Sequence, residues 1–444
     1  MSSIQKLATG RDKYTLDYPE LGTGPVSYED SYSEEFYQAE KEAIFKRTWL
    51  KVGRVEQLPR NGTFFTRELK GLGSIVVTRH TDGEIYALYN VCAHRGNKVV
   101  WQEHPAEESK GSARQFQCKY HGWRYGLDGK CSYVTKRDQF FDSLPDDKLA
   151  MPQVRCEVFA GFIFVNFSKD APPLREFLGE KLVTEIEAWP FEKFTNHWSF
   201  RTYVKGNWKI GIDALLEWYH PAYVHGRFLD TDVSQAEKLV PPMDSYHYDL
   251  FTPHMLTSVP GPPPLKKKQG SVGPAARDMN WVYKLFRAGL FGPDDVRDDL
   301  GHLTPERNPG EVKYWSNDQY WAFPNLSIQL WGRGYYITYQ YIPDSVGGHN
   351  YEVDIYFPEP KTVSERLAQE LVVDSTIEFA MQDTNTVEAT YSAISQQALS
   401  EYHLSDMELM IRQFHHVVRS AVAARPPRSA SPIRQEPRQA GTEK

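Results

Sequence analysis

One short segment of the sequence holds four side chains that can bind a metal ion or exchange a proton: Asp213, Glu217, His220 and His225. Residues three and four apart share one face of a helix, so Asp213, Glu217 and His220 are predicted to form a single stripe. Pro221 is expected to break or kink the helix because it lacks an N–H, which lets His225 turn back toward the same point. Two imidazoles and a carboxylate from elsewhere would form a ligand set with open positions, which suits Fe(II) oxygen chemistry.

A buried amphipathic helix, with its histidines in the core or at the surface, would explain this segment equally well on its own. Two pairs of residues upstream favour a metal. Cys92 with His94, and Cys118 with His121, each place one thiolate close to one imidazole. A two-iron, two-sulfur cluster takes four protein ligands, and two histidines on one iron raise the reduction potential to about −150 to +300 mV. The sequence therefore favours an electron-carrying cluster in addition to an iron site.

Two alternatives compete with a cluster at these four residues. Zinc binds two cysteines and two histidines readily, but Cys-x-His is not the usual spacing of a zinc finger. Coincidence is the other alternative. Gly96 and Gly122 favour the cluster, because glycines after each pair let both loops close tightly around it. Cys131 and Cys156 lie in no motif and are interpreted as free buried thiols.

The Cys-x-His and Cys-x-x-His pairs resemble those of Rieske proteins, position for position. The resemblance implies that Cys92 and Cys118 bind one iron of the cluster and that His94 and His121 bind the other. The 23 residues between His94 and Cys118 exceed the interval that is usual in that family. The additional residues form a polar excursion, 103–112, which leaves both ligand pairs intact and is not expected to change the cluster.

These pairs, followed by Asn207-Trp208-Lys209 and a Glu-x-x-His-x-x-x-x-His segment, resemble the large subunit of Rieske non-heme iron oxygenases. The resemblance covers nearly the whole chain. It implies an α+β fold, with a small antiparallel β Rieske domain and a helix-grip (START-like) α+β catalytic domain. The expected division is an arm and helix that pack with the catalytic domain (1–49), the Rieske 2Fe-2S domain (50–167), the catalytic mononuclear iron domain (168–424) and a polar, disordered tail (425–444).

The resemblance also assigns the ligands of a mononuclear Fe(II), which are two histidines and one aspartate. His220 and His225 match the two histidines. Asp383 is the best match to the aspartate, which lies on a late helix in that family. Asp374 is the alternative ligand, although it can also be interpreted as a residue that only stabilises the N-terminal part of that helix.

Glu217 stands where that family commonly has aspartate, and the resemblance implies that it is not an iron ligand. It is expected to bridge a cluster histidine of a neighbouring subunit to His220 and so to pass electrons between chains. Glutamate accepts hydrogen bonds as well as aspartate does. Asp213 replaces the family's asparagine and adds a second carboxylate beside Glu217, so one of the two is predicted to titrate unusually.

The implied function is that of a terminal oxygenase component. It would use O2 and electrons from NADH, delivered by a reductase with or without a ferredoxin, to hydroxylate an organic substrate, with an aromatic one favoured. The chains would form head-to-tail homotrimers, with or without a small beta subunit, because the cluster and the iron of one chain lie too far apart in that family. A Rieske ferredoxin-type electron carrier is an alternative that the chain length and the second metal segment disfavour.

A monooxygenase or demethylase acting on a quaternary ammonium compound is a further alternative. Glutamate at the position of Glu217 occurs in oxygenases that act on such compounds. Four aromatic residues near the histidines can be interpreted as a cation–π cage or as ordinary core residues. These residues are Trp208, Trp218, Tyr219 and Tyr223.

The elements that must position these residues can be read from periodicity and turn signals. Short β-prone runs up to about Phe167 predict a small antiparallel domain, in which 158–167 is a buried strand. Strands are expected again at 319–331, 335–342 and 351–357. Between 253 and 314 the periodicity is poor, and this region is interpreted either as a lid over the iron pocket or as an exposed excursion.

Capping-box signals mark the starts of three predicted helices. Ser31 with Glu34 opens a helix that runs to Trp49. Thr362 with Glu365, and Ser405 with Glu408, open two C-terminal helices. Asp383 is expected on the helix that begins at Thr362.

Composition limits the remaining possibilities. The chain has 444 residues and a net charge of −7, which argues against nucleic acid as its main partner. We find neither a signal peptide nor an apolar run of the roughly 20 residues that a membrane span needs. The sequence therefore predicts a cytoplasmic protein without a membrane partner.

Overall fold

The computed structural model describes residues 13–141, 144–225, 245–261 and 304–424, together with 288–289, 292–293 and 300. Two antiparallel sheets of seven strands each organise the described chain. Helices pack against the second sheet, and the expected α+β fold is confirmed. The tail 425–444 and most of the region 253–314 lie outside the described residues, so their predictions stay untested. No helix in the described ranges is long and apolar enough to cross a lipid bilayer.

The strands of the described residues follow in chain order: β1 (Val26–Ser27), β2 (Leu50–Arg54), β3 (Thr63–Leu69), β4 (Gly73–Arg79), β5 (Ile85–Tyr89), β6 (Lys110–Ser112), β7 (Phe116–Gln117), β8 (Arg124–Tyr125), β9 (Cys131–Tyr133), β10 (Gln153–Phe159), β11 (Phe162–Asn166), β12 (Asn196–Val204), β13 (His247–Phe251), β14 (His254–Pro260), β15 (Ala288–Gly289), β16 (Gly292–Pro293), β17 (Trp315–Ala322), β18 (Leu326–Trp331), β19 (Tyr335–Ser345), β20 (Gly348–Phe357) and β21 (Glu401–Tyr402).

The helices of the same residues are α1 (Lys13–Asp17), α2 (Glu29–Tyr32), α3 (Glu34–Glu40), α4 (Leu174–Glu187), α5 (Trp208–Asp213), α6 (Pro221–Val224), α7 (Val363–Ile394) and α8 (Leu409–Ala423). The helix α7 is by far the longest, with 32 residues. Its N-terminus is capped by Thr362, whose hydroxyl accepts from the backbone N–H of Glu365 at 3.1 Å. Ser405 and Glu408 form the predicted reciprocal capping box in a short turn that leads into α8. Both C-terminal capping predictions are confirmed.

The first sheet has the strand order β2-β11-β10-β5-β4-β3-β6, and a three-stranded sheet, β7-β8-β9, accompanies it. The two cysteine–histidine pairs lie in the loops that precede β6 and β8. A separate hydrophobic cluster supports these loops and contains Cys92 and Cys118 themselves, with Trp123, Tyr125 and Leu88. The two loops are therefore held by their own small core.

The second sheet has the order β12-β20-β19-β18-β17-β14-β13 and is covered on both faces. Side chains alternate between the faces of a strand. Tyr335, Ile337 and Tyr339 belong to the core that also contains residues of α7 and α8. Tyr336 faces the other way and packs in the core formed with α4 and β11. This sandwich places the strands between the first sheet and the helix that carries Asp383.

Two strand predictions need correction. Residues 158–167 do not form one strand, because the chain turns at Ala160 and Gly161, both with positive φ, between β10 and β11. Residues 319–331 likewise form two paired strands, β17 and β18, rather than one. Buried residues continue through the turn between β17 and β18, and Ala160 and Gly161 are partly buried between β10 and β11, so neither hydrophobic run gives a clear sign of the reversal.

The N-terminal helical prediction was right in place and wrong in detail. The helix α3 is capped by Ser33, which accepts from the backbone N–H of Phe36 at 3.2 Å, and not by Ser31. At the end of α3 the carboxylate of Glu40 accepts from Lys209 Nζ at 2.6 Å and from Trp208 Nε1 at 3.0 Å. Both charged side chains are fully buried. This buried pair fixes the start of α5 to the N-terminal helix.

The polar excursion 103–112 joins the two sheets. Its Glu108 accepts from Arg201 of β12 at 2.6 Å and from Arg67 of β3 at 3.3 Å. Arg67 also donates to both carboxylate oxygens of buried Glu352 in β20, each at 2.8 Å. Burial disfavours the charge on Glu108, but the two arginines outweigh it and lower the pKa of this carboxyl group. The additional residues of this loop therefore contribute to the contact between the domains.

Candidate metal centres

The helix α5 ends at Asp213, earlier than the sequence predicted. Asp213, Glu217 and His220 therefore do not form a stripe on one helix. One carboxylate oxygen of Glu217 accepts from the backbone N–H groups of Tyr219 and His220, the latter at 3.0 Å. A side chain that takes these donors replaces the helical i−4 acceptors, which stabilises the break. Pro221 starts the next short helix, α6, instead of ending one, because its missing N–H costs nothing in a first turn.

The break brings two histidines to one aspartate. Nε2 of His225 lies 3.2 Å from Oδ1 of Asp383, and Nε2 of His220 lies 3.6 Å from the same oxygen. One ligand atom from each residue falls within 4.8 Å of the other two. The two rings are steeply inclined, at 75°. This is the facial arrangement of two histidines and one carboxylate that suits Fe(II), with positions left for other ligands.

Each histidine is oriented through its other ring nitrogen. Nδ1–H of His220 donates to Glu217 in a very short contact, since a carboxylate can only accept. Nδ1–H of His225 donates to Oε1 of Gln382 at 2.7 Å. Gln382 in turn donates from Nε2 to Glu378 at 2.9 Å. These partners fix the tautomers so that both Nε2 atoms are free to bind a metal, as is usual around ligand histidines.

The electrostatics of His220 follow from these neighbours. Burial disfavours its charged form, but the hydrogen bond and charge of Glu217 and the charge of Asp383 outweigh burial and raise the pKa of His220. The carboxylates of Glu217 and Asp383 both attract positive charge to His220, which also favours the binding of a divalent metal there. The residues present therefore fit a mononuclear iron.

Asp213 has a different partner from the one predicted. Its carboxylate pairs with Nε2 of buried His415, 3.1 Å from both oxygens. Nδ1 of His415 lies 3.3 Å from Asp30, which also binds Arg419. Burial disfavours the imidazolium, but Asp213 and Asp30 outweigh it and raise the pKa of His415 to about 9. Asp213 and Glu217 do line one open cavity of about 220 Å³, together with His220 and Asp383.

The cluster loops are closed by their own backbone. The N–H of Gly96 donates to the carbonyl of Cys92 at 2.9 Å, and the N–H of Gly122 donates to that of Cys118 at 3.0 Å. Both glycines have positive φ, 73° and 76°. A side chain would be strained in that region, which explains the glycine after each pair.

The side chains in these loops fit a Rieske cluster. Cys92 and Cys118 are free and buried. The rings of His94 and His121 are adjacent, with centroids 4.6 Å apart. Nδ1 of His94 is buried and has no hydrogen-bond partner among the described residues, as expected of a nitrogen kept for a metal. The hydroxyl of Tyr125 lies 3.1 Å from Cys92 Sγ and can donate to a thiolate there.

Family comparisons match these two halves of the molecule. Residues 191–424, more than half of the chain, match the ring hydroxylating alpha subunit (catalytic domain), and residues 48–152 match the Rieske [2Fe-2S] domain. The chain belongs to the Rieske non-heme iron oxygenase alpha-subunit family. That membership confirms the predicted enzyme class, the Rieske cluster and the mononuclear iron.

Relatives of the chain carry out several reactions. The large oxygenase component of the naphthalene 1,2-dioxygenase system of Pseudomonas putida is 33% identical over 207 residues, which are 44% of this chain and 43% of that protein. Methanesulfonate monooxygenase hydroxylase subunit alpha of Methylosulfonomonas methylovora is 31% identical over 197 residues, 42% of this chain and 46% of that one. The chain thus aligns with less than half the length of these relatives.

A solved structure extends the similarity to the whole fold. A quaternary ammonium Rieske monooxygenase with L-carnitine bound superposes with a TM-score of 0.68, covering 93% of this chain and 98% of that one at 19% identity. At this identity the match supports the fold alone. The shared fold agrees with the predicted architecture, a β-rich cluster domain followed by an α+β catalytic domain.

Not every residue singled out from the sequence reaches the iron centre. Asp374 lies on α7 but is exposed. Trp208 is fully buried and packs edge-on against Phe45 and Phe414, so it is a core residue. Tyr219 and Tyr223 are about half exposed. Trp218 is partly buried against the same core. Because Trp208 lies in the core, the four residues do not together form the cation–π cage that was one interpretation of their spacing.

Three functional residues were missed by the sequence reasoning: Gln382, Tyr125 and His415. Gln382 adjoins Asp383 in sequence, which is the only signal that could have indicated it. Tyr125 and His415 reach Cys92 and Asp213 across 33 and 202 positions. No local spacing could have indicated those contacts.

Proposed function

We propose that this protein is the terminal oxygenase component of a multicomponent system, using O2 and electrons from NADH to hydroxylate an organic substrate. The observation that carries the proposal is the convergence of His220, His225 and Asp383, with Glu217 bound to Nδ1 of His220. An electron carrier of ferredoxin type needs only its iron–sulfur cluster, so a second metal centre argues against that function. A reductase, with or without a ferredoxin, would supply the electrons.

The residues divide the work between the two centres. Cys92, His94, Cys118 and His121 would hold the cluster, and His220, His225 and Asp383 would hold the iron. When bound, the cluster supplies single electrons and the Fe(II) supplies a site that activates O2. Glu217 keeps Nε2 of His220 directed at the iron position and presents its carboxylate to the open cavity. Gln382 fixes His225 in the same way.

The proposed assembly is a head-to-tail homotrimer in which the cluster domain of one chain approaches the catalytic domain of the next. Two surfaces of opposite charge support it. Arg95 and Lys119 are exposed beside the cluster histidines. The cavity that contains Glu217 and Asp213 is acidic, and Glu408 also lines it. Glu217 would then link a cluster histidine of the neighbouring chain to His220. A small beta subunit is not required by this arrangement, although it is compatible with it.

We place the cluster domain at 50–167 and the catalytic domain at 168–424. The first sheet lies between Leu50 and Asn166, and all strands of the second lie between Asn196 and Phe357, which supports this division. Residues 1–49 are assigned to the catalytic side, since Glu40 pairs with Lys209. A cytoplasmic location is proposed on the sequence alone.

An aromatic or other planar substrate is favoured by the cavity beside Asp383, which has a volume of about 60 Å³. It is lined by aromatic residues of the second sheet and of α7: Trp331, Tyr335, Tyr339, Tyr351 and Phe379. Offset or edge-on contacts with aromatic rings suit a flat apolar molecule. A monooxygenase acting on a quaternary ammonium compound is the second candidate, since the solved oxygenase of that kind shares the fold and aromatic walls also bind such cations.

The proposed function can be tested with the purified chain reconstituted anaerobically with iron and sulfide. We expect a Rieske-type electron paramagnetic resonance signal on reduction, and substrate-dependent O2 uptake when NADH and a surrogate reductase are added. Product analysis across aromatic hydrocarbons, aromatic acids and trimethylammonium compounds would identify the class oxidised. Protein that holds a cluster but binds no further iron and couples no substrate to O2 uptake would contradict the proposal.

A further inference from the structure

Three polar side chains lie on the sheet face that forms the wall of this cavity, and they have unused hydrogen-bonding atoms. Asn317, Ser327 and Gln329 are at most 3% exposed. The side-chain oxygen of each, and also Nδ2 of Asn317, has no hydrogen-bond partner among the described residues. Buried polar groups are nearly always paired, because leaving one unpaired after it has lost water is costly. These atoms are therefore available to hydrogen-bond a ligand.

The sheet register places these side chains next to residues that line the cavity. Asn317 lies directly opposite Trp331, which lines the cavity. Ser327 and Gln329 lie opposite Tyr339 and Ile337, which also line it. Side chains of such cross-strand pairs are neighbours on one face of a sheet. The unpaired atoms thus lie beside the aromatic wall of the cavity.

A relay of amides holds Gln329 in a fixed direction. Nε2 of Gln329 donates to Oε1 of Gln319 at 3.3 Å, and Nε2 of Gln319 donates to the carbonyl of Leu215 at 2.9 Å. Leu215 lines the cavity and precedes Glu217 by two residues. The relay uses the amide nitrogen of Gln329 as a donor and leaves its carbonyl oxygen without a partner among the described residues. The polar row is therefore connected to the segment that carries the iron ligands.

The charge of this face restricts the ligand. In the central strands of the described sheet, the residues that share the face are uncharged: Met255, Thr257, Val259, Asn317, Gln319, Trp321, Ser327, Gln329, Trp331, Tyr335, Ile337, Tyr339, Tyr341, Tyr351, Val353 and Ile355. A carboxylate or sulfonate would find no cation among them. A trimethylammonium group has no N–H and could not pair with the oxygens of Asn317 and Gln329.

We propose that Asn317 and Gln329, assisted by Ser327, determine specificity by binding a neutral group of the substrate that both donates and accepts hydrogen bonds, such as a carboxamide or a hydroxyl. This inference rests on the proposed oxygenase function and adds the substrate class to it. The substrate is then a single planar ring, or a molecule of similar size, with its polar group at Asn317 and the carbon to be oxidised toward Asp383. Plain hydrocarbons and quaternary ammonium compounds are disfavoured, because both would leave the amides unpaired.

Calorimetry on the iron-loaded full chain, without O2 or reductant, tests this with three probes of similar size: benzamide, toluene and phenyltrimethylammonium. Benzamide is the more polar of the two neutral probes and should nevertheless bind at least about tenfold more tightly than toluene. Phenyltrimethylammonium should bind most weakly. Tighter binding of toluene would mean that water alone satisfies the amides, and tighter binding of phenyltrimethylammonium would support a cation site; either result overturns the proposal.

Variants locate the effect in the polar row. Asn317→Leu and Gln329→Met should each weaken benzamide binding by about five- to tenfold, the range expected for one neutral hydrogen bond, and leave toluene binding unchanged or improved. Gln340→Met is the matched control, since Gln340 is also buried with an unpaired Oε1 but lies on the opposite face, where it donates to the carbonyl of Lys51. Equal losses for both probes in the two variants, or the same selectivity change in the control, would contradict the assignment.

The binding assay separates this inference from the proposed function. Selective benzamide binding in a protein that couples no probe to O2 uptake would support the polar site and contradict the oxygenase. Coupled O2 uptake without selectivity would support the oxygenase and contradict the polar site. If one variant fails to fold, as judged by circular dichroism, the other variant and the wild-type ranking still decide the question.

Discussion

The two candidate metal centres are built in opposite ways. In the cluster loops each cysteine and histidine pair is local, closed by one glycine and a few backbone hydrogen bonds. In the iron site two histidines on a broken helix meet an aspartate from α7, and the contact between His225 and Gln382 spans 157 positions. The first centre therefore depends on loop geometry, and the second depends on how helices pack across a sheet. Substitutions should affect one centre without the other.

The largest separation is expected from Asp383→Ala. Removing this ligand should lower the affinity for the mononuclear iron by more than about 100-fold and leave the cluster in place, since a metal ligand matters more than the partners around it. Iron and acid-labile sulfide analysis measures both centres at once. Asp374→Ala is the control, because Asp374 lies on the same helix but is exposed. Loss of iron in the control instead would show that the wrong aspartate was assigned.

Glu217→Ala should still bind both metals when iron is supplied in excess, and should reduce coupled turnover by about 100-fold, in the range seen when a hydrogen-bond partner of a metal ligand is removed. The variant loses the acceptor for Nδ1 of His220 and the link across the open cavity. Rapid-mixing experiments that follow cluster oxidation give the measurement. Glu370→Ala, which removes an exposed carboxylate of α7 that pairs with Arg366, is the matched control. Wild-type turnover in Glu217→Ala would disprove the bridging role.

Gln382→Met tests the partner of the other histidine. It removes the acceptor 2.7 Å from Nδ1 of His225 and should lower iron affinity by about tenfold. The cluster should keep its spectrum and its midpoint potential. Competition with a chelator measures the affinity. An unchanged affinity would mean that His225 is oriented by packing against Phe379 instead, since their ring centroids are 4.7 Å apart.

Tyr125→Phe is the converse substitution at the cluster. Losing a hydrogen bond to Cys92 Sγ should lower the reduction potential, because such bonds stabilise the more negative, reduced cluster. A bond of about 1 kcal/mol corresponds to about 40 mV for a one-electron couple. Redox titration monitored by circular dichroism measures the shift. A change in mononuclear iron affinity in this variant would contradict the independence of the two centres.

The smallest effect is a pH dependence on the catalytic side. Asp213 and Asp30 face His415 from α5 and α2, and Arg419 follows it on α8. Because the folded state raises the pKa of His415 from 6.5 to about 9, its contribution to stability is complete below pH 6.5 and is lost as pH rises to about 9. Thermal unfolding across this range measures it. His415→Gln should remove that part of the pH dependence, and an unchanged profile would show that the imidazolium does not stabilise the fold.

The sequence was a good guide wherever the relevant signal was local. The pairs Cys92 with His94 and Cys118 with His121 were recognisable because two ligands separated by one or two residues on a loop point to one place. The caps at Thr362 and Ser405 were found for the same reason. Ser33 replaced Ser31 as the cap of α3, because serine is acceptable at both positions and only the path of the chain distinguishes them.

The iron site was predicted with the wrong local structure. His220 and His225 do come together with Asp383, but the helix ends at Asp213, where Glu217 stabilises the break, and not after His220 as predicted. The sequence favoured a helix because Asp213, Glu217 and His220 are spaced four and three residues apart, as on one helix face. Two interactions decide the site: Glu217 accepts from the backbone N–H of His220, and His225 contacts Asp383 of α7. Neither interaction leaves a periodic pattern in the sequence.

By itself, the sequence determined the chemistry that the chain can perform: which side chains are thiolates, imidazoles and carboxylates, and which of them are neighbours along the chain. The tertiary structure decided which aspartate joins His220 and His225, the pairing of Asp213 with His415 and, among the described residues, the unpaired amides of Asn317 and Gln329. The physical reason is that a hydrogen bond or a metal bond depends on distances of a few ångströms. Residues far apart in the sequence acquire such distances only when the sheet and α7 pack together.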